Sequence, residues 1–138
     1  EHYAMNAVPG MELYQARRLG AQGDFDGAVV RARSGLDDVF RTCDFFNADA
    51  GTSTLVEALL ARCTNDDLAE AEAAIERLAA LRSGTAWATR DCYVLRLRTL
   101  LAQARGDDAA YRELRDRYRA MANELGFEGH MKWATEMP

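Results

Sequence analysis

The side chains in this 138-residue chain that could perform chemistry are two histidines, three cysteines, three acidic pairs and a row of arginines. His2 and His130 stand at opposite ends, and neither has a cysteine or a second histidine within a helical turn. Local spacing therefore offers no set of metal ligands. His130 follows Glu128 too closely to stack with it on one helix face. It reads as a surface or capping residue, with a ligand or proton-transfer role as the alternative. Cys43, Cys63 and Cys92 form no C-x-x-C, their count is odd, and each lies in a stretch with helical apolar spacing. They read as buried free thiols in a reducing compartment, the cytoplasm. Arg41 and Arg62 lie close to two of them, which keeps an activated thiol as the competing reading.

Catalytic carboxylates need displaced pKa values, which come from burial or a converging partner. Asp66-Asp67 and Asp107-Asp108 sit where helices should begin, so capping and the helix dipole account for them. Asp37-Asp38 falls on the polar side of a helical stripe and reads as solvated. Ser34, Ser53 and Ser83 lie in no G-x-S-x-G elbow, and no Gly-rich loop ends in Lys-Ser/Thr. Nothing in these patterns calls for a catalytic residue, a cofactor or a metal. What remains is recognition. Arg112, Arg115 and Arg119 share a helix face, and guanidinium forks bind carboxylates and phosphates. Self-pairing with Asp116 and Glu113 is the competing explanation. Phe45 and Phe46 sit in an expected loop, as partner anchors or as a cover for the end of the fold.

The elements that must position these residues are helical. Both prolines, Pro9 and Pro138, lie near the ends, and apolar residues recur at steps of three and four. One stripe runs Phe25, Ala28, Val29, Ala32, Leu36, Val39, Phe40, Cys43, and another Tyr111, Leu114, Tyr118, Met121, Ala122, Leu125. Segments 52–63 and 67–82 carry similar stripes, and 11–22 a weaker one. Residues 86–105, led by Trp87, are apolar nearly all round and should lie centrally. Gly23-Asp24, Asn65-Asp66-Asp67 and Gly106-Asp107 pair a helix stop with a helix cap, and Ser83-Gly84-Thr85 supplies another break. Residues 45–52 read as the longest loop. The pattern predicts one all-α domain of about seven helices, an antiparallel array of hairpins over about 11–43, 52–82 and 86–126. A terminal helix over 129–137, with Met131, Trp133 and Met137, should dock back as a cap. A lone hairpin cannot bury its stripe, whereas stacked neighbours can.

Composition agrees. With 49% hydrophobic residues the chain is too apolar for a disordered tail, and a net charge of −5 speaks against nucleic acid. The apolar runs are far short of the roughly 20 residues of a membrane span. Arginine replaces lysine everywhere except Lys132.

The run from Leu19 to Ala32, L-G-A-Q-G-D-F-D-G-A-V-V-R-A, resembles the turn and second helix of a tetratricopeptide repeat, with Ala16, Ala28 and Ala32 as its small packing residues and Phe25 beside them. D-L-A-E-A-E-A-A-I keeps Leu68 and Ala71 in the corresponding places. G-D-D-A-A-Y departs, with Tyr111 where a small residue is expected, and the period near 40 exceeds the family's 34. Residues 70–138, through Tyr118-Arg119-Ala120-Met121-Ala122 and Leu125-Gly126-Phe127-Glu128-Gly129-His130-Met131-Lys132-Trp133-Ala134, resemble the helical C-terminus of large actinobacterial regulators. These join a class III nucleotide-cyclase domain, an AAA-type ATPase and a tetratricopeptide-like region, or end in a LuxR-type DNA-binding domain. The resemblance implies a non-catalytic C-terminal piece of an intracellular signalling protein. Its partner would be a protein or peptide, another domain of the same chain, or a second copy in a homodimer, with no nucleic acid or membrane contacted. A small-molecule effector domain is the alternative.

Overall fold

A computed structural model describes residues 2–81 and 87–138, with the side chains of residues 2–9 and 87 left out of the description. The Ser83-Gly84-Thr85 break, the side chain of His2 and the expected core position of Trp87 lie outside the described residues. The elements are α1 (His2–Ala21), α2 (Phe25–Arg41), a short 3-10 turn (Phe45–Asn47), α3 (Ala48–Arg62), α4 (Asn65–Ala79), α5 (Trp87–Ala104), α6 (Asp108–Leu125) and α7 (Glu128–Glu136). Among the described residues the regular structure is entirely helical.

The corners show why the chain divides there. Asp24 accepts the amide of Gly27 and Asp107 that of Ala110, so each carboxylate caps the helix it precedes. The residues just before them, Gly23 and Gly106, are left-handed, with φ of 83° and 72°. The middle corner lies slightly earlier than expected. Cys63 takes the left-handed conformation, and the hydroxyl of Thr64 accepts the amide of Asp67 at 3.1 Å. Asp67 Oδ2 accepts the Thr64 amide in return, a reciprocal capping box at the start of α4.

The helices gather into two compact units, Glu1–Ala74 and Ile75–Pro138, with the division inside α4. In the first unit α1 packs on α2 and α2 on α3. Leu13, Ala28, Val29, Ala32, Leu36, Val39, Val56 and Leu59 are buried there. Gly35 and Gly51 permit the close approach. A Cβ on either would lie 3.1 Å from its nearest neighbour, Glu12 Cβ and Leu36 Cδ1 respectively.

The expected loop over 45–52 is thus largely helix. From Gly51 to Val56 every residue of α3 is buried, including Thr52, Ser53 and Thr54. Helix α1 likewise starts earlier than the expected residue 11. In the second unit α5 packs on α6 and α6 on α7. Helix α5 buries Arg90, Cys92, Val94, Leu95, Leu97, Thr99, Leu101 and Ala102, which span most of its circumference, as its apolar composition predicts.

Candidate functional site

The first unit carries a half-open groove of about 240 Å³ between α1, the start of α2, and α3. Its floor is made of small residues, Ala16, Gly20, Ala28 and Ala58, with Ala61 at an exposed edge and Phe25 also lining it. These are the residues that let the helices approach, so the same short side chains that pack the hairpin leave a hollow beside it. Arg17 and Glu57 supply charges of opposite sign at the walls. Arg17 Nε donates to Thr54 Oγ1 at 3.0 Å, and that hydroxyl donates to the Ala50 carbonyl at 2.9 Å. The guanidinium is therefore oriented from α3 although it belongs to α1. Tyr14, Arg17 and Ala21 share a helix face by spacing. Tyr14, one turn before Arg17, is 64% exposed and presents a large amphipathic ring on α1.

Behind the groove an ion network ties α2, α3 and α4 together. Arg62 Nε and Nη2 form a fork on the two Asp67 oxygens at 2.9 and 2.6 Å, and Arg62 Nη1 reaches Asp26 at 2.9 Å. Asp67 is buried, yet the Arg62 fork and the Thr64 hydrogen bonds hold its carboxyl well below the usual carboxylate range, against the opposing effect of burial. Arg33 makes a second fork on Glu70. These acids cap and pair, as their positions beside helix starts imply.

In the second unit, the arginine row of α6 has a use its sequence did not show. Arg112 is exposed. Arg119 donates from Nε to the main-chain oxygen of Ala134 at 3.0 Å, and from Nη2 to that of Met137. Arg115 Nη1 and the Tyr111 hydroxyl both donate to the main-chain oxygen of Pro138 at 2.9 Å, with the Arg115 guanidinium over the Tyr111 ring. Arg115 also meets Asp116 at 3.2 Å. Two of the three arginines thus clamp the chain's own α7 and the two residues after it.

His130 is the main departure from expectation. Instead of lying at the surface it is 5% exposed, ringed by Tyr93, Tyr118, Phe127 and Trp133. The Tyr118 hydroxyl lies 2.7 Å from His130 Nδ1. Burial, helped by the Arg96 charge, lowers the imidazole pKa to about 4 and keeps it neutral at pH 7. A neutral ring can accept the phenolic proton at Nδ1, and burial raises the Tyr118 phenol well above its ordinary value. Its signal in the sequence was the spacing Phe127, His130, Trp133/Ala134, Met137, an apolar row once histidine is counted in it.

The cysteines divide. Cys92 is buried, which pushes its thiol up to about 11 and keeps it protonated at neutral pH. Cys43 and Cys63 are exposed, contrary to the buried reading, because each is the left-handed residue just past a helix end and so leaves the apolar stripe. Phe45 packs edge-on against Phe40 with ring centroids 6.0 Å apart, while Phe46 is 92% exposed. Sequence therefore pointed to Phe46 as an available aromatic but not to the groove, whose alanines carry no chemical signature. Among the described residues, no three His, Cys, Asp or Glu side chains gather as a metal site requires, and no helix is long and apolar enough to cross a membrane. Comparisons of the chain with protein-family models, with curated proteins and with solved structures find no match.

Proposed function

We propose that the chain is a non-catalytic recognition domain that binds a protein or peptide segment. In this reading it forms a tetratricopeptide-like region of a larger cytoplasmic signalling protein of the nucleotide-cyclase or LuxR-regulator type. The observation that carries the proposal is the groove of the first unit. At about 240 Å³ it is half-open. It falls short of the roughly 300–1,000 Å³ typical of pockets that enclose small ligands. It has room for one large side chain, with a shallow apolar floor, a cation held by Thr54 and an anion at its walls. That combination suits an anchor residue of a bound segment, flanked by polar contacts to its main chain. Exposed Tyr14 on α1 and exposed Phe46 at the turn before α3 offer further aromatic surface on the same unit.

Selecting peptides from a random display library against the whole chain tests this reading. The expected peptides share a large apolar residue, and their affinity falls at least tenfold in Ala61→Trp, which fills the groove from its exposed edge. Peptides that bind this variant unchanged contradict the groove as the site. A metabolite panel that raises the melting temperature while no peptide is selected would instead favour an effector-sensing domain.

A further inference from the structure

Helix α7 is held by a grip that is indifferent to which chain supplies it. The donors of α6, Arg119, Arg115 and Tyr111, take main-chain oxygens of Ala134, Met137 and Pro138, and so respond to a helix end and not to particular side chains. Cations at the C-terminal end of a helix also complement its dipole. Beneath them Cys92, Leu95, Tyr118 and Ala122 form one buried cluster with Ala134 and Met137, and Phe127 and Trp133 pack alongside. Arg96 of α5 lies 4.4 Å from the centre of the Trp133 ring. This is helix-in-groove packing, with anchors at Phe127, His130, Ala134 and Met137.

On its own α7 has little to keep it helical. It has nine residues, against the roughly 12–15 below which isolated helices are marginal, and Phe127 gives its first turn no side-chain cap. Only Gly126 and Phe127 join it to α6. Gly126 closes α6 in the left-handed conformation, with φ of 68°. Glycine occupies left- and right-handed regions about equally, so this corner opens at little conformational cost. With Gly126 and the extended Phe127 both turned right-handed, α6 runs on through the corner and carries α7 away from its own groove.

We propose that two copies of this chain exchange α7 reciprocally, the groove between α5 and α6 of each copy receiving the α7 of the other. Every contact described above is then remade between chains, which is what makes an exchanged dimer inexpensive. The partner is a second copy of this chain, and the site is incomplete until some α7 fills it.

Sedimentation of the whole chain from the micromolar to the millimolar range, beside two corner variants, tests the exchange. The wild type is expected to show a growing dimer. Gly126→Ala penalises the left-handed corner and leaves the continuous helix unopposed, shifting the equilibrium toward dimer by about five- to tenfold for each corner opened. Inserting Gly-Ser-Gly after Gly126 gives the corner slack and should return the chain to monomer. A wild type that stays monomeric throughout overturns the proposal, as does a folded Gly126→Ala no more dimeric than wild type. Should Gly126→Ala fail to fold, the insertion variant decides: a dimer it leaves intact is not an exchanged one.

Discussion

His130 and Asp67 are both buried ionisable groups, and acid acts on them in different windows. The pKa of His130 falls from 6.5 to about 4 on folding, so protons favour the unfolded chain. Its share of stability is complete above pH 6.5 and is lost as pH drops from 6.5 to 4, by at most about 3 kcal/mol. The urea midpoint followed by tryptophan fluorescence should fall by about 1–3 M across that range. His130→Gln should remove the dependence. Asp67, with its carboxyl pKa depressed, stabilises above the ordinary value of 3.8 and loses that contribution only as pH falls below it. Asp67→Asn breaks the Arg62 fork around a buried group and should cost about 2–3 kcal/mol in chemical denaturation at pH 7. A smaller gain should come from the left-handed cysteines. Cys63→Gly relieves a φ of 56° and should raise stability by about 0.5–1 kcal/mol. Sequence showed Asp67 as a capping acid because capping depends on position along the chain. It showed neither the burial of Asp67 nor that of His130, because burial depends on what packs from distant segments.

Helix α7 is held by charged donors on its peptide oxygens as well as by its buried apolar anchors. Arg119→Ala removes two such hydrogen bonds and should destabilise the second unit by about 2 kcal/mol, reduced from the fully buried value because Arg119 is half-exposed. Hydrogen exchange should show α7 amides losing protection before those of α5 and α6. The stripes of α2 and α6 were legible because their polar faces are charged and their apolar faces regular. Helix α3 was read too short because its first four residues, Ala48, Asp49, Ala50 and Gly51, offer no large apolar side chain for periodicity to count. The corner before α4 was misplaced for a related reason. Cysteine is not a residue that announces a left-handed helix end, so Cys63-Thr64 passed unnoticed beside the acids that follow it.

The two compact units are predicted to respond separately to acid, and the chain carries a natural probe of this. Both tryptophans, Trp87 and Trp133, belong to the unit Ile75–Pro138, so fluorescence reports that unit alone. Acid titration should move fluorescence between pH 6.5 and 4, where His130 acts, while far-UV circular dichroism retains the first unit's helices until pH falls below about 4. Coincident transitions would show that the chain unfolds as one body. The all-helical class was legible in composition and spacing, whereas the division inside α4 was not, since its stripe continues across the boundary without interruption. For recognition by the first unit, the deciding measurement is an amide NMR titration of the whole chain with the tightest selected peptide. Shifts centred on Arg17, Gly20, Thr54, Glu57 and Ala61 are predicted; shifts confined to residues 75–138, or none at saturation, contradict it.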